Sequence, residues 1–232
     1  MKKIAFTIFA ALLMVGTAIK ASAQSEESRS VSGYNGIASS GPFDVHVKID
    51  GTESLKIKGS SDALKDIQTD VEGGKLRIKF RNHSGNHNYG PIDIYVTAKS
   101  LSSVANAGSG YVKVDGTVSG SNVDIVVAGS GSVTAVAKAN ALKAVISGSG
   151  SVELSGSAAD TKISITGSGE LNAKGFKTDN VSANIAGSGG AYLQANKSVS
   201  ANIVGSGNLV YTGNATIESS HTIGSGRISK AN

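Results

Sequence analysis

The residues best suited to chemistry are sparse in this chain. Two histidines stand four apart in His83-Ser84-Gly85-Asn86-His87, and paired imidazoles can hold zinc or nickel. A site needs a third ligand. The chain has no cysteine, so that ligand would have to come from Asp44, His46 or Asp93 folded alongside. The composition around the pair is that of a solvated Asn/His/Gly loop, and no metal site is expected there. The most regular feature is Gly-Ser-Gly, which occurs seven times. The copies are Gly108-Ser109-Gly110, Gly129-Ser130-Gly131, Gly148-Ser149-Gly150, Gly167-Ser168-Gly169, Gly187-Ser188-Gly189, Gly205-Ser206-Gly207 and Gly224-Ser225-Gly226. Gly-rich loops cradle phosphates when they open a helix. Here Gly148-Ser149-Gly150 leads into Ser151-Val152-Glu153, a strand pattern, and no Gly-Lys-Ser/Thr completes a phosphate loop. Calcium-binding β-roll repeats have a nine-residue period with an acidic residue at each turn, and these corners carry no carboxylates.

The spacings of the tripeptide are 21, 19, 19, 20, 18 and 19 residues, the signature of one small unit stacked many times. After each tripeptide comes an apolar column: Val112, Val133, Val152, Leu171, Ala191, Leu209 and Ile228. A second strand precedes the tripeptide, with inward sets such as Val123, Ile125, Val127 and Leu142, Ala144, Ile146. Between the two lies a looser stretch rich in Gly, Asn, Ser and Thr, too short for a helix. An all-β unit of about 19 residues excludes leucine-rich repeats and propeller blades and leaves a parallel β-helix. Six to seven coils at ~4.8 Å make a rod about 30 Å long. The glycines are expected to turn the corners, and the stacked serine hydroxyls to bond coil to coil. Ile217 and Ile223 fall out of phase, so the last coil is predicted to be irregular.

Outward residues follow from the same alignment. One column reads Lys113, Thr134, Glu153, Asn172, Tyr192, Val210; the other reads Asp124, Lys143, Lys162, Ser182, Ser200. Neither places two carboxylates on neighbouring coils, as glycoside hydrolysis requires. No Ser-His-Asp arrangement is indicated. No catalytic residue and no cofactor are expected, and the chain is read as non-enzymatic. Asn184 and Asn202 share a column and are expected to form an amide ladder.

Before the repeat, period-2 alternation marks strands: Phe43, Val45, Val47, Ile49; Leu55, Ile57; Leu76, Ile78, Phe80; Ile92, Ile94, Val96. Glu72-Gly73-Gly74-Lys75 and Asp50-Gly51-Thr52-Glu53 read as tight turns, Asp62–Asp66 as one helical turn, and the whole as a sheet of antiparallel hairpins. Lys2 and Lys3, the apolar run Ile4–Val15 and Ala21-Ser22-Ala23 form a signal peptide over residues 1–23. Residues 24–30 are polar and read as a flexible leader. An N-terminal β region then spans 31–100 and the solenoid 101–232, with 31–232 one continuous folded unit. Loss of Lys2, Lys3 and Lys20 leaves 19 basic against 17 acidic residues, too even a balance to argue for nucleic acid. No later stretch of the mature chain is apolar and long enough for a membrane helix.

The signal peptide, the alternating β region and the Gly-Ser-Gly coils together resemble the putative auto-transporter adhesin, head GIN domain family. The resemblance runs from Gly41 to Ile228. It is carried by Gly41-Pro42-Phe43-Asp44-Val45, Gly74-Lys75-Leu76-Arg77-Ile78, Leu101 to Gly110 and the later corners. It implies an exported all-β solenoid in the periplasm, on the outer-membrane surface or secreted, and brings no established ligand or catalytic residue. The expected fold is thus a parallel β-helix preceded by an antiparallel β region that caps or extends it. The expected function is that of an adhesin-like or structural envelope protein. It would present its surface to an unidentified protein or glycan, with open ends that invite homo-oligomers. The alternative is a polysaccharide-binding or polysaccharide-active β-helix protein.

Overall fold

The computed structural model describes residues 25–81 and 89–231. The signal peptide, His83 and His87 lie outside the described residues. The elements in chain order are β1 (Ser25–Arg29), β2 (Gly36–Ser40), β3 (Asp44–Ile49), β4 (Ser54–Gly59), α1 (Ser61–Asp66), β5 (Ile67–Glu72), β6 (Lys75–Phe80), β7 (Asp93–Ala98) and β8 (Ser103–Gly108). The long strands β9 (Tyr111–Gly129), β10 (Ser132–Gly148), β11 (Ser151–Gly167), β12 (Glu170–Gly187) and β13 (Gly190–Gly205) follow. The chain continues with β14 (Asn208–Thr212), β15 (Thr216–Gly224) and β16 (Arg227–Lys230). Among these residues no helix is long and apolar enough to cross a membrane.

The repeat is a parallel solenoid. From β9 to β13 each strand runs round its coil and breaks only at Gly-Ser-Gly. The stretch read as loose is therefore strand like the rest, and it buries Val118, Ala137 and Phe176. Departures from the 19-residue spacing fall there as bulges. Lys113 faces Thr134 but Thr117 faces Val136, so β9 carries two extra residues at that point. Ala173 faces Leu193 but Lys177 faces Gln194, which leaves Lys174, Gly175 and Phe176 as an insertion relative to β13. The corners stay in register because the ladder and the apolar columns tolerate no slip, whereas the far side absorbs the difference.

The N-terminal region both extends and caps the stack. β2 and β3 lie parallel beneath β8 and β9, and β6 and β7 lie parallel beneath β2 and β3. Two further coil levels thus precede the first Gly-Ser-Gly, and they stack out of chain order. Inward columns run through all levels. One is Ile94, Val45, Val112, Val133, Val152, Leu171, Ala191, Leu209, Ile228. Another is Leu76, Ile37, Val104, Ile125, Ala144, Ile163, Ala183, Ala201, Ser220. The reading of 31–100 as antiparallel hairpins holds for β5–β6, and β4 is antiparallel to β7, but β2 and β3 are parallel to their neighbours. The Asp50–Glu53 turn joins β3 to β4, yet β7 lies between those strands. Below the coils, α1 buries Ala63 and Leu64 against the end of the core, and Ser60 caps it by accepting from the Ala63 N–H at 3.2 Å.

Residues 24–30 correct one expectation. Within that stretch Ser25–Arg29 is not a flexible leader but β1, antiparallel to β4. The segment lacks apolar residues, so it is held by its ladder and by charge. Glu26 meets Lys56 at 2.6 Å and Lys58 at 3.3 Å. The Arg29 guanidinium donates to the Leu64 and Ile67 carbonyls, both at 2.7 Å, and so ties β1 to the end of α1.

Candidate functional site

The corners are built by two glycines acting differently. Gly148 has φ +110°, a region only glycine adopts without strain, and its carbonyl accepts from the Ser168 N–H at 2.9 Å. Gly150 needs no special φ, but a Cβ there would lie 2.4 Å from the Gly131 oxygen and 2.5 Å from Val127 Cγ1. The serine between them is exposed, as at the other six corners. Among the described residues none of these hydroxyls has a hydrogen-bond partner, so the expected serine-to-serine bonding does not form. Backbone amides join the corners instead: the Ser149 and Gly150 N–H groups share the Gly129 carbonyl at 3.0 and 2.9 Å. The expected Asn184–Asn202 ladder is in register, but no hydrogen bond joins the two side chains. The ladder that forms is Asp160–Asn180–Ser198, at 2.9 and 3.1 Å, beside the buried Thr161–Thr178 pair at 2.9 Å.

Both outward columns fall as aligned. Glu153 sits between Thr134 and Asn172, and Lys143 between Asp124 and Lys162. The first column continues downward past Lys113 to His46, Tyr95 and Lys56, because β3, β7 and β4 supply the next levels. Here the chemistry-bearing side chains gather. The His46 and Tyr95 rings stack with centroids 5.0 Å apart and an interplanar angle of 13°. Tyr111 meets His46 edge-on at 5.3 Å, and its hydroxyl lies 2.9 Å from Nε2. Lys58 Nζ lies 5.2 Å from the Tyr95 centroid, a cation over the ring. Asp93 Oδ1 is 3.7 Å from the same His46 nitrogen.

Desolvation, then the charges of Asp44 and Asp93, push the Tyr111 phenol above its usual pKa. In the Tyr111–His46 contact either partner can donate, the phenol O–H to a bare Nε2 or an Nε2–H to the phenol oxygen. Tyr111 and Asp93 both address one nitrogen, so the group is not a Ser-His-Asp-like relay, in which base and orienting acid use opposite nitrogens. A groove of about 570 Å³ opens beside it, lined by His46, Lys48, Tyr95, Thr97, Lys113 and Asp115 over the edges of buried valines. Among the described residues Lys113 and Asp115 make no ion pair, and Tyr95 is 39% exposed. The arrangement offers an aromatic edge, a phenol and both charge signs, which suits a polar ligand with an apolar face.

Of the side chains considered for metal chemistry, Asp44, His46 and Asp93 do come together. No group of three ligating residues able to hold a metal forms among the described residues. Tyr95, Tyr111 and Lys58 join the cluster without any signal in the sequence, because they reach it only through the out-of-order stacking of β3, β7 and β9 and the pairing of β4 with β7.

The family model described as putative auto-transporter adhesin, head GIN domain, matches residues 33–215. Among solved structures, a putative adhesin from Bacteroides fragilis is 24% identical, with 90% of this chain and 97% of that one covered and a TM-score of 0.82. A putative lipid binding protein from Parabacteroides distasonis is 26% identical with TM-score 0.71, over 90% of this chain and 97% of that one. A putative adhesin from Parabacteroides distasonis is 22% identical over the same shares, also with TM-score 0.71. No curated protein matches the chain.

Proposed function

The chain belongs to the putative auto-transporter adhesin, head GIN domain family, and from that membership we propose a non-enzymatic, exported envelope protein that binds through its outer face. The observation that carries this reading is the Tyr95–His46–Tyr111 cluster with its groove, a stretch of outer face where three packed rings, one pair stacked and one edge-on, and both charge signs converge. Along the coils above, the outer columns are mostly Ser, Thr, Asn and Lys spread singly, a solvated exterior. The ligand is a protein or glycan of the cell surface. One solved structure of this fold is described as a putative lipid binding protein. In this chain the interior is packed with stacked Val, Ile, Leu and Ala, so a lipid would have to lie outside the coils.

Screening the mature 24–232 chain on glycan arrays, and in pull-downs from envelope and host-surface extracts, tests this function. A specific ligand is expected, bound about tenfold or more weakly by Tyr95→Ala and Lys113→Ala. Absence of binding in both formats sinks the adhesin reading and leaves a structural envelope component.

A further inference from the structure

We infer that the last coil is an interface that joins two copies of this chain, last coil to last coil. The two ends of the stack are built differently. At the N-terminal end α1 closes the apolar columns, and the edge strands β1 and β5 carry Glu26, Glu27, Asp70 and Glu72. A covering helix and edge charges are the devices that keep exposed strands from pairing. At the other end β15 runs nine residues, all exposed, with Glu218 its one carboxylate. β15 pairs only with β13, and β16 only with β14. Among the described residues nothing meets their outer edges, so a row of N–H and C=O groups faces along the stack axis.

The composition of that end matches a copy of itself. A bulge at Glu218 shifts the phase, so Ser220 and Thr222 lie over Ala201 and Ile203 while Ile223 turns outward beside Val204. Ile223 is 56% exposed, and Val204 and Ile217 are each 45% exposed. Ile223 and Val204 form an outward apolar pair at the margin of the coil, and Ile217 stands over Val199 at the open end of an inward column. Glu218 stands on β15, and Arg227 and Lys230 on β16, so one end holds both charge signs. A stable interface of ~800 Å² per partner involves about 20–30 residues a side, and one coil of about 19 residues comes close to supplying them. The guarded N-terminal end disfavours head-to-tail growth. A two-fold axis across the stack reverses every strand, so the joint is antiparallel, isologous and closed at two. An axis through the middle of β15 sets Ser220 opposite its own copy.

The chain lacks cysteine, which makes the test direct. The mature chain is measured by sedimentation velocity from about 1 to 100 µM, with Thr222→Lys, Ile223→Lys and, as a mid-stack control, Thr134→Lys. Ser220→Cys and Gln68→Cys place single thiols at opposite ends. The wild type and Thr134→Lys are expected to be dimers. Both end variants should dissociate at least about 100-fold more readily while keeping the wild-type β circular dichroism. Ser220→Cys should oxidise to a disulfide-linked dimer and Gln68→Cys should not. If Thr222→Lys fails to fold, Ile223→Lys and the thiol pair still decide. A monomer throughout the range overturns the inference, as do dimers indifferent to both end variants, growth beyond two copies, or cross-linking only when the two cysteine chains are mixed.

Discussion

Replacing Gly150 by alanine puts a methyl carbon 2.4 Å from the Gly131 carbonyl oxygen and 2.5 Å from Val127 Cγ1. Ordinary contacts of this kind begin near 3.4 Å, so the two coils must part by about 1 Å at the corner. That movement strains the hydrogen bonds of the Ser149 and Gly150 N–H groups to the Gly129 carbonyl. Overpacking of this kind costs about 1–3 kcal/mol. Gly148→Ala adds a positive φ of 110° to a contact of 2.5 Å with the Gly129 oxygen, and backbone strain costs about 1–3 kcal/mol more. Ser149→Ala removes an exposed hydroxyl that bonds nothing among the described residues and should stay within about 0.5 kcal/mol. At roughly 2–4 °C per kcal/mol for a chain of this size, thermal melting by circular dichroism should drop by about 2–12 °C for Gly150→Ala. Gly148→Ala should fall at least as far, and Ser149→Ala should shift by no more than about 2 °C. A loss for Ser149→Ala as large as that for Gly150→Ala would show that serine hydroxyls, not glycine backbones, hold the coils together.

Phe176 is fully buried on the inserted side of β12, so Phe176→Ala should cost about 3–5 kcal/mol in denaturant unfolding, whereas the neighbouring exposed Lys177→Ala should cost almost nothing. The hydrogen bond from Lys99, with those from the Gly33 and Tyr34 amides, holds the Glu53 carboxyl below the usual glutamate value of 4.5. A lowered folded pKa contributes stability that is present above the ordinary value and lost as pH falls through the lower one. Melting temperature should therefore decline below about pH 4.5, and Glu53→Gln should flatten that slope. An unchanged acid slope in the variant would contradict the assignment.

The columns are legible in the sequence because a parallel stack repeats its inward residues at nearly fixed spacing, so Val112 to Ile228 line up without any structure. The first two levels are not. They have no Gly-Ser-Gly, and the chain lays β6 and β7 down after β2 and β3 yet stacks them beneath. Periodicity along a sequence cannot report spatial order. In the β2–β3 coil, Gly41-Pro42-Phe43 takes the place of the tripeptide. Phe43 is fully buried below Gly110, where an added Cβ would lie 2.0 Å from the Phe43 oxygen. Asn106 is hidden for a related reason. It stands in a column that runs Ile78, Ser39, Asn106, Val127, Ile146 and Ile165; its amide N–H groups donate to the Gly110 and Ser132 carbonyls at 2.7 and 3.2 Å, while its Oδ1 is buried without a partner among the described residues. The candidate cluster depends on these same levels, so its members are individually visible but their assembly is not.

Binding at the outer face formed by β3, β7 and β9 is tested most directly by surface-plasmon titration of one identified ligand. The chains compared are the wild type, Tyr95→Ala, Lys113→Ala and Lys143→Ala, the last on the other outward column. Affinity should fall about tenfold or more for Tyr95→Ala and Lys113→Ala, with melting temperature preserved, and remain at the wild-type value for Lys143→Ala. Equal affinity for all four chains, or a loss confined to Lys143→Ala, would contradict it.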